Sequence, residues 1–221
     1  MKKALVIGAS GGIGSAVISE LQNRGYDVTG ISRSEDGIDL TEEPTIEAAL
    51  SGVQGDIDLV FIAVGALEPA GQPPEKAVRE VTGPGMAAAF AVNALGPMLA
   101  VKHALPLIAK DRPAVIAVLS ARVGSIGDNS IGGWHSYRAS KSALNQFIHG
   151  AAIEMKRTHK QAVAVCLHPG TVATRFTEKY AGRHKTTPPE QAAADLVNVI
   201  EGLTTEDSGG FYDYAGRPIP W

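Results

Sequence analysis

The sequence predicts an α/β fold, a doubly wound parallel sheet with helices on both of its faces. Two observations lead to this. Short continuous apolar runs alternate along the chain with longer segments whose apolar residues recur at helical spacing. The runs also lack the in–out alternation of half-exposed strands, so both of their faces are expected to be buried. Because strands that alternate with helices pair in parallel through right-handed crossovers, residues 1–221 are expected to form one such domain.

Residues 1–64 are predicted to form three strands and two helices. In the first helix, apolar residues recur at helical spacing from Ile13 onward, and Gly25 ends it. The second helix has Thr41 as its expected N-cap and Pro44 in its first turn. The expected strands cover residues 3–7, 26–31 and 58–64, and the expected helices cover 13–23 and 42–50.

The second part begins with a long apolar helix, in which Gly96-Pro97 predicts a kink. A glycine-rich loop then separates a strand from a second long helix. The expected helices cover residues 86–110, 137–159 and 189–201, the expected strands cover 114–119, 162–168 and 210–214, and the loop covers 124–133.

Composition excludes several classes of function. The net charge of −3 and the pI of about 6.1 imply no basic surface, so neither nucleic acid nor an anionic membrane is an expected partner. The single cysteine, Cys166, rules out an internal disulfide and lies in a buried apolar strand. The histidines have no metal-ligand spacing, so no metal site is expected. The N-terminal apolar run breaks at once into glycines and no stretch is expected to cross a bilayer, which together indicate a cytoplasmic protein.

The first turn has the composition of a phosphate-binding loop. It reads Gly8-Ala9-Ser10-Gly11-Gly12-Ile13-Gly14 and lies between the first strand and the first helix. Glycines in this position let the chain turn tightly and let backbone amides approach a pyrophosphate at the helix N-terminus. The loop therefore predicts a Rossmann-type domain that binds a dinucleotide.

The end of the second strand favours NADP(H) over NAD(H). An NAD site usually has an acid here for the ribose hydroxyl, whereas this chain has Ile31-Ser32-Arg33-Ser34. The guanidinium of Arg33, with Ser32 or Ser34, suits a 2′-phosphate. The alternative is that Arg33 is an ordinary solvated side chain.

A tyrosine and a lysine are spaced for proton transfer. In Tyr137-Arg138-Ala139-Ser140-Lys141 the two side chains lie one helical turn apart on the same face. A phenol titrates near 10, and a neighbouring ammonium is expected to lower that pKa. The pair predicts a general acid for carbonyl reduction, or a base for alcohol oxidation.

Over nearly its whole length the chain resembles the short-chain dehydrogenase/reductase family, in particular its C-factor-like branch, which includes carbonyl reductases of the Sniffer type. The resemblance rests on these segments: Gly8…Gly12-Ile13-Gly14, Asp39-Leu40 (expected after the third strand), Val92-Asn93-Ala94-Leu95-Gly96, Ala121-Arg122-Val123-Gly124-Ser125-Ile126, Tyr137…Lys141, Pro169-Gly170-Thr171-Val172-Ala173-Thr174 and the ending Tyr212-Asp213-Tyr214-Ala215-Gly216…Pro220-Trp221.

The resemblance implies an oxidoreductase and assigns roles to these residues. Asn93 would hold a water for proton relay, and Lys141 would contact the nicotinamide ribose. Asp39 and Leu40 would flank the adenine, and Pro169 to Thr171 would lie near the nicotinamide. Val172 is also expected to bind the cofactor. Without the family, Asn93 is interpreted as a polar residue that bends its helix. Family members commonly form homodimers or homotetramers through the two long helices, here 86–110 and 137–159.

Two departures from the family pattern concern the site. The usual Ser-Ser-x-x-Gly segment reads Ser120-Ala121-Arg122-Val123-Gly124, so alanine stands where a serine is expected to bind the substrate oxygen. Ser120 or Ser125 is the candidate substitute. The second departure is Ile62-Ala63-Val64-Gly65 in place of Asn-Asn-Ala-Gly, where Val64 and Gly65 are still expected to pass close to the cofactor.

Two further segments are expected near the substrate. Trp134-His135 either lines the mouth of the pocket or serves only in packing. The family loop that closes over substrate corresponds to residues between Thr174 and Pro188, and its shortness predicts an open pocket; its basic residues are Arg175, Lys179, Arg183, His184 and Lys185.

These features support two functions of different classes. The first is NADP(H)-dependent reduction of a small carbonyl compound. The second is a C-factor-like sensor or signalling protein that binds the dinucleotide but turns over little, a possibility raised by Ala121. Substrate panels with cofactor titration distinguish the two.

Overall fold

A six-stranded parallel sheet forms the centre of the computed structural model, which describes residues 1–71, 73–177 and 186–221. Its order is β2-β1-β3-β4-β5-β6. The strands are β1 Lys3–Ile7, β2 Asp27–Ile31, β3 Leu59–Ile62, β4 Ala114–Leu119, β5 Ala162–His168 and β6 Phe211–Asp213. The expected residues Lys179, Arg183, His184 and Lys185 lie outside the described part of the chain.

Helices cover both faces of the sheet, which confirms the expected fold class. One apolar core lies between the sheet and α3, α5 and α6, and the other between the sheet and α1 and α7. The helices are α1 Gly12–Asn23, α2 Arg33–Asp36, α3 Glu43–Leu50, α4 Gly83–Phe90, α5 Gly96–Ala104, α6 His135–Thr158 and α7 Pro189–Gly202. The expected elements are present with small shifts at their ends, except that the long helix expected over 86–110 is divided, and α2 is an addition.

The long helix expected over 86–110 is interrupted earlier than predicted. A π-helical segment, Ala91–Leu95, joins α4 to α5, so the irregularity precedes Gly96-Pro97 instead of lying on it. Pro97 is the second residue of α5, directly after the π-helical segment, and because it lacks an N–H it cannot donate a hydrogen bond to the preceding turn. The α-helix also ends at Ala104, because Leu105–Leu107 is a 3-10 turn.

Two local expectations around Asp39 are wrong. The N-cap of α3 is Glu42, and the hydroxyl of Thr41 instead donates a hydrogen bond to Asp39 at 2.7 Å. Asp39 and Leu40 follow the second strand, not the third, because only β1 and β2 precede them.

One helical stretch is long and apolar enough to cross a membrane, contrary to the sequence expectation. Gly83–Leu107 spans 25 residues with a mean hydropathy of 1.4. Core helices of globular proteins pass the same test, and Ala100, Val101 and Ala104 of this stretch are buried against the sheet. The core thus accounts for part of its hydropathy, since 39% of its most apolar window is buried.

The pleat of the sheet decides which side chains reach the site. Cys166 of β5 is fully buried in the core beneath α6, while its neighbour Leu167 lies in the core of the opposite face. Because side chains alternate along a strand, His168 faces the same side as Cys166. Burial raises the pKa of the Cys166 thiol to about 12, as suits the apolar role expected of it.

Candidate active site

The glycine loop between β1 and α1 is built from close backbone contacts. The amides of Gly8 and Ala9 both donate to the carbonyl of Ile31, at 2.8 and 3.1 Å. Gly8 has a φ of 95°, and a Cβ on Gly14 would lie 2.1 Å from the oxygen of Gly8. Only glycine permits this packing, which leaves the first amides of α1 free at its N-terminus.

A cavity of about 620 Å³ opens beside this loop at the carboxyl ends of the strands. In open parallel sheets ligands bind at this edge, where the strand order reverses. Of the expected residues, the cavity is lined by Ser10, Gly11, Gly12, Ile13, Val64, Gly65, Ser120, Tyr137, Lys141, Pro169, Gly170 and Val172. Gly12 lies so close to Thr174 that a Cβ there would be 2.7 Å from the threonine methyl group. With Thr174 this close a side chain at position 12 would clash, and the exposed backbone of the loop at the helix N-terminus fits the dinucleotide implied by the sequence.

Tyr137 and Lys141 lie one turn apart in α6 and are 7% and 3% exposed. The ammonium of Lys141 donates to the carbonyl of Leu119 at 3.0 Å. Burial lowers the pKa of Lys141 to about 8, with a small opposing contribution from Cys166, and burial raises the pKa of Tyr137. The expectation that Lys141 lowers the pKa of Tyr137 is therefore wrong for this state of the protein, because desolvation of the phenolate dominates.

Asn93 lies behind the cavity in the π-helical segment and is fully buried. Its side-chain amide accepts from the N–H of Ala66 and donates to the carbonyl of Ala66, both at 2.8 Å. A Cβ on Gly65 would lie 3.1 Å from both Asn93 Oδ1 and Lys141 Nζ. Asn93 thus fixes the loop after β3, and Gly65 of that loop lies between the asparagine and the lysine with little room for a side chain.

The two candidate serines have different surroundings. Ser120 lines the cavity, and its hydroxyl donates to Asn145 Oδ1 at 2.6 Å. Ser125 is not among the cavity-lining residues, and its hydroxyl donates to the carbonyl of Pro220 at 2.5 Å. Ala121 lines the cavity with a methyl group where the family pattern has a hydroxyl.

Aromatic rings surround Tyr137. Trp134 packs edge-on against it with ring centroids 6.2 Å apart, and Phe176 lies 6.3 Å away on the cavity wall. Of the two residues expected at the mouth, neither Trp134 nor His135 lines the cavity itself. Trp134 instead packs against the ring of Tyr137.

The residues expected to hold the adenosine lie beyond the cavity wall. Ser32 caps the short helix α2 by accepting from the N–H of Glu35 at 3.2 Å, and Arg33 is exposed beside it. Leu40 is buried, and Asp39 accepts from the N–H and hydroxyl of Thr41, whose hydrogen bonds lower the pKa of the aspartate.

Sequence reasoning missed part of the wall. The expected residues Gly8, Gly14, Arg33, Asp39, Leu40, Asn93 and Thr171 do not line the cavity, whereas these residues without a predicted role do: Ala63, Leu119, His168, Ala173 and Thr174. Arg175, Phe176 and Thr177, from the loop expected near the substrate, also line it. Position at the end of a parallel strand could have identified Ala63, Leu119 and His168.

Comparison with known proteins agrees with this geometry. A family model described as short chain dehydrogenase matches residues 2–184. The chain is 33% identical over all of its length and all of the relative's to the 1-hydroxy-2-glutathionyl-2-methyl-3-butene dehydrogenase of Rhodococcus sp. (strain AD45). It is 35% identical to the C-signal protein of Myxococcus xanthus, over 62% of this chain and 78% of that protein, which confirms the resemblance to the C-factor-like branch.

Among solved structures, a short-chain dehydrogenase/reductase from Burkholderia multivorans with bound NADP superimposes with a TM-score of 0.83. The two chains are 28% identical, and the match covers 100% of this chain and 99% of the other. The glycine loop, the buried tyrosine and lysine, and these matches lead to one conclusion. The chain belongs to the short-chain dehydrogenase/reductase family and is an oxidoreductase of that family.

Proposed function

We propose that the protein reduces a small carbonyl compound with NADPH, with Tyr137 as the general acid. The observation that carries this proposal is that Tyr137 and Lys141 are buried in the same cavity as the glycine loop. The bound nicotinamide would supply the hydride. The glycine loop would hold the pyrophosphate of the cofactor, and Pro169, Gly170 and Val172 of the same cavity would lie beside the nicotinamide.

Proton transfer falls to the residues of α6. Burial raises the pKa of Tyr137 and so keeps the phenol protonated at neutral pH. A protonated phenol is the form that reduction of a carbonyl needs, and alcohol oxidation needs the disfavoured phenolate. Lys141, which lies across Gly65 from Asn93, would hold the ribose and connect the tyrosine to the proton supply. Among the hydroxyl groups that line the cavity, that of Ser120 lies nearest in sequence to Ala121, where the family pattern has the substrate-binding serine.

Replacement of Tyr137 by phenylalanine tests the mechanism. We expect Tyr137→Phe to lower kcat by at least about 10²-fold, since it removes only the acid. Binding of NADPH, followed by fluorescence titration, is expected to be unchanged. A variant as active as the wild type would rule out the mechanism. A wild type that binds NADPH but reduces no carbonyl in a broad panel would favour the sensor function suggested by Ala121.

We propose that Arg33 makes the protein prefer NADPH to NADH. Its exposed guanidinium follows Ser32 at the end of β2, and no carboxylate of residues 31–34 competes with a 2′-phosphate. We expect Arg33→Ala to weaken NADPH binding by about tenfold, the effect of one lost charge-assisted hydrogen bond. NADH binding should stay as it is. Equal losses for both cofactors would contradict the preference.

Residues 1–221 are proposed to form one domain, and the cytoplasm is the proposed location.

A further inference from the structure

His168, at the carboxyl end of β5, has no role in the function described so far. It lines the cavity together with Tyr137 and Ala121. The parallel register sets it beside Asp213 of β6, and the amide of Ser120 donates to the preceding carbonyl of Leu167 at 2.8 Å. The imidazole therefore lies at the sheet edge where the substrate is expected.

The two ring nitrogens of His168 differ in their surroundings. Nδ1 is sealed from solvent and has no hydrogen-bond partner. Nε2 has no partner among the described residues either, but it is not sealed. A buried N–H without an acceptor is costlier and rarer than an under-used acceptor, so the proton of the neutral ring belongs on Nε2. The cavity wall thus holds an N–H donor that bonds to no atom of the described residues.

The imidazole is uncharged at neutral pH. Burial and then the charge of Arg122 lower its pKa to about 4, although Asp213 opposes them. Asp213 is itself paired with Arg217 at 2.8 Å and with Arg122 at 3.4 Å. A neutral N–H donor suits an uncharged oxygen acceptor and offers no ion pair to a carboxylate.

We propose that His168 determines specificity by donating a hydrogen bond from Nε2 to an uncharged oxygen next to the reacting carbonyl of the substrate. The substrate class is a ketone or aldehyde with a neighbouring ether, hydroxyl or second carbonyl oxygen. This inference rests on the proposed reductase function. Ala121 supports it, since the methyl group leaves this part of the wall with one donor fewer than the family pattern provides.

Two ketones that differ only by an oxygen in place of a methylene group test the inference. These are methoxyacetone and methyl propyl ketone, measured as the ratio of their kcat/KM values with NADPH. We expect His168→Phe to lower this ratio by about three- to tenfold relative to the wild type, the effect of one neutral hydrogen bond. The reactivity difference between the two ketones cancels in the comparison.

His168→Gln is the matched control, because its side-chain amide keeps a donor. It is expected to retain most of the wild-type ratio. NADPH titration checks that each variant folds, and dissociation constants of both ketones from the complex with NADP⁺ measure the same preference without turnover. An unchanged ratio in His168→Phe, or an equal fall for both ketones, overturns the inference and leaves the proposed function standing. A wild type that neither binds nor reduces either ketone also overturns the inference, whereas the proposed function is contradicted only if the broad carbonyl panel fails as well.

Discussion

Burial sets the protonation states of Tyr137 and Lys141 before any ligand arrives. The sequence predicted the pair from its spacing, and the structure brings both residues to one cavity. Spacing alone did not predict that the carbonyl of Leu119 engages the ammonium or that desolvation dominates the pKa of the phenol. Those facts depend on how β4 and α6 pack against each other, which spacing within one helix does not show. The role proposed for His168 was not predicted either, because a single histidine at the end of a strand forms no recognisable sequence motif.

The pKa of Lys141, lowered by burial to about 8, predicts the pH dependence of the reaction. Below that value the side chain is an ammonium, and above it a neutral amine that no longer supports proton transfer. We therefore expect kcat/KM for carbonyl reduction to fall as the pH rises through about 8, since kcat/KM reports the free enzyme.

Lys141→Arg is the control for this pH profile. Its guanidinium stays charged at all accessible pH values, so its residual activity should show no decline near pH 8. A wild-type profile that stays flat to pH 9.5, about 1.5 units above the value for Lys141, would contradict the assignment.

At the scale of elements, the N-terminus of α6 is capped by a residue from a distant loop. Its N-cap residue, Trp134, has a φ of 51° and no side-chain capping bond. Glu75 supplies the missing acceptor: it accepts from the N–H of Ser136 at 3.2 Å and from the hydroxyl of Ser136. Burial alone would raise the pKa of Glu75, but the hydrogen bonds from Ser136 outweigh it and lower the pKa.

Glu75→Gln is expected to lower the free energy of unfolding by about 1–2 kcal/mol at pH 7, the usual effect of a lost charged cap. Because the folded-state pKa lies below the ordinary 4.5, this stabilisation is present above that pH and disappears as the pH falls through the folded value. Urea unfolding at pH 7 and at about pH 3 measures both. Glu154→Gln, an exposed glutamate of the same helix, should change neither. A loss that persists in full at the lower pH would contradict the capping role.

The elements themselves were more predictable than their junctions. Apolar runs identified β1, β4 and β5 with their correct ends, because buried strands are uniformly apolar. The π-helical segment Ala91–Leu95 was not predictable, because the bond from Asn93 to Ala66 comes from another element. The short helix α2 depends on one capping serine, Ser32, too weak a signal to recognise in advance.

At the scale of the whole molecule, apolar side chains on α6 and on the π-helical segment remain in contact with solvent. Leu95, Phe147 and Ile153 are 49%, 39% and 55% exposed. We propose that these helices join copies of the chain into a homodimer or homotetramer, as their alanine-rich sequences suggest.

Phe147→Glu is expected to dissociate such an assembly, because a charge buried at an apolar interface is strongly unfavourable. Light scattering at micromolar concentration should show the wild type as an oligomer and the variant at 23.0 kDa. Val78→Glu, which replaces an exposed apolar residue outside the helices, should leave the mass of the wild type unchanged. A monomeric wild type would contradict the proposal.

Because Cys166 is buried, the reaction of its thiol with added reagents reports unfolding of the protein. The chain has one thiol, which sits in a central strand with a pKa of about 12 and no exposed surface. Thiol reagents need both access and a thiolate, so modification must wait for the sheet to separate from α6. The labelling rate therefore measures how often the fold opens far enough to expose this thiol. A cofactor or substrate that binds only the closed fold should lower that rate in proportion to the fraction of protein that remains unbound.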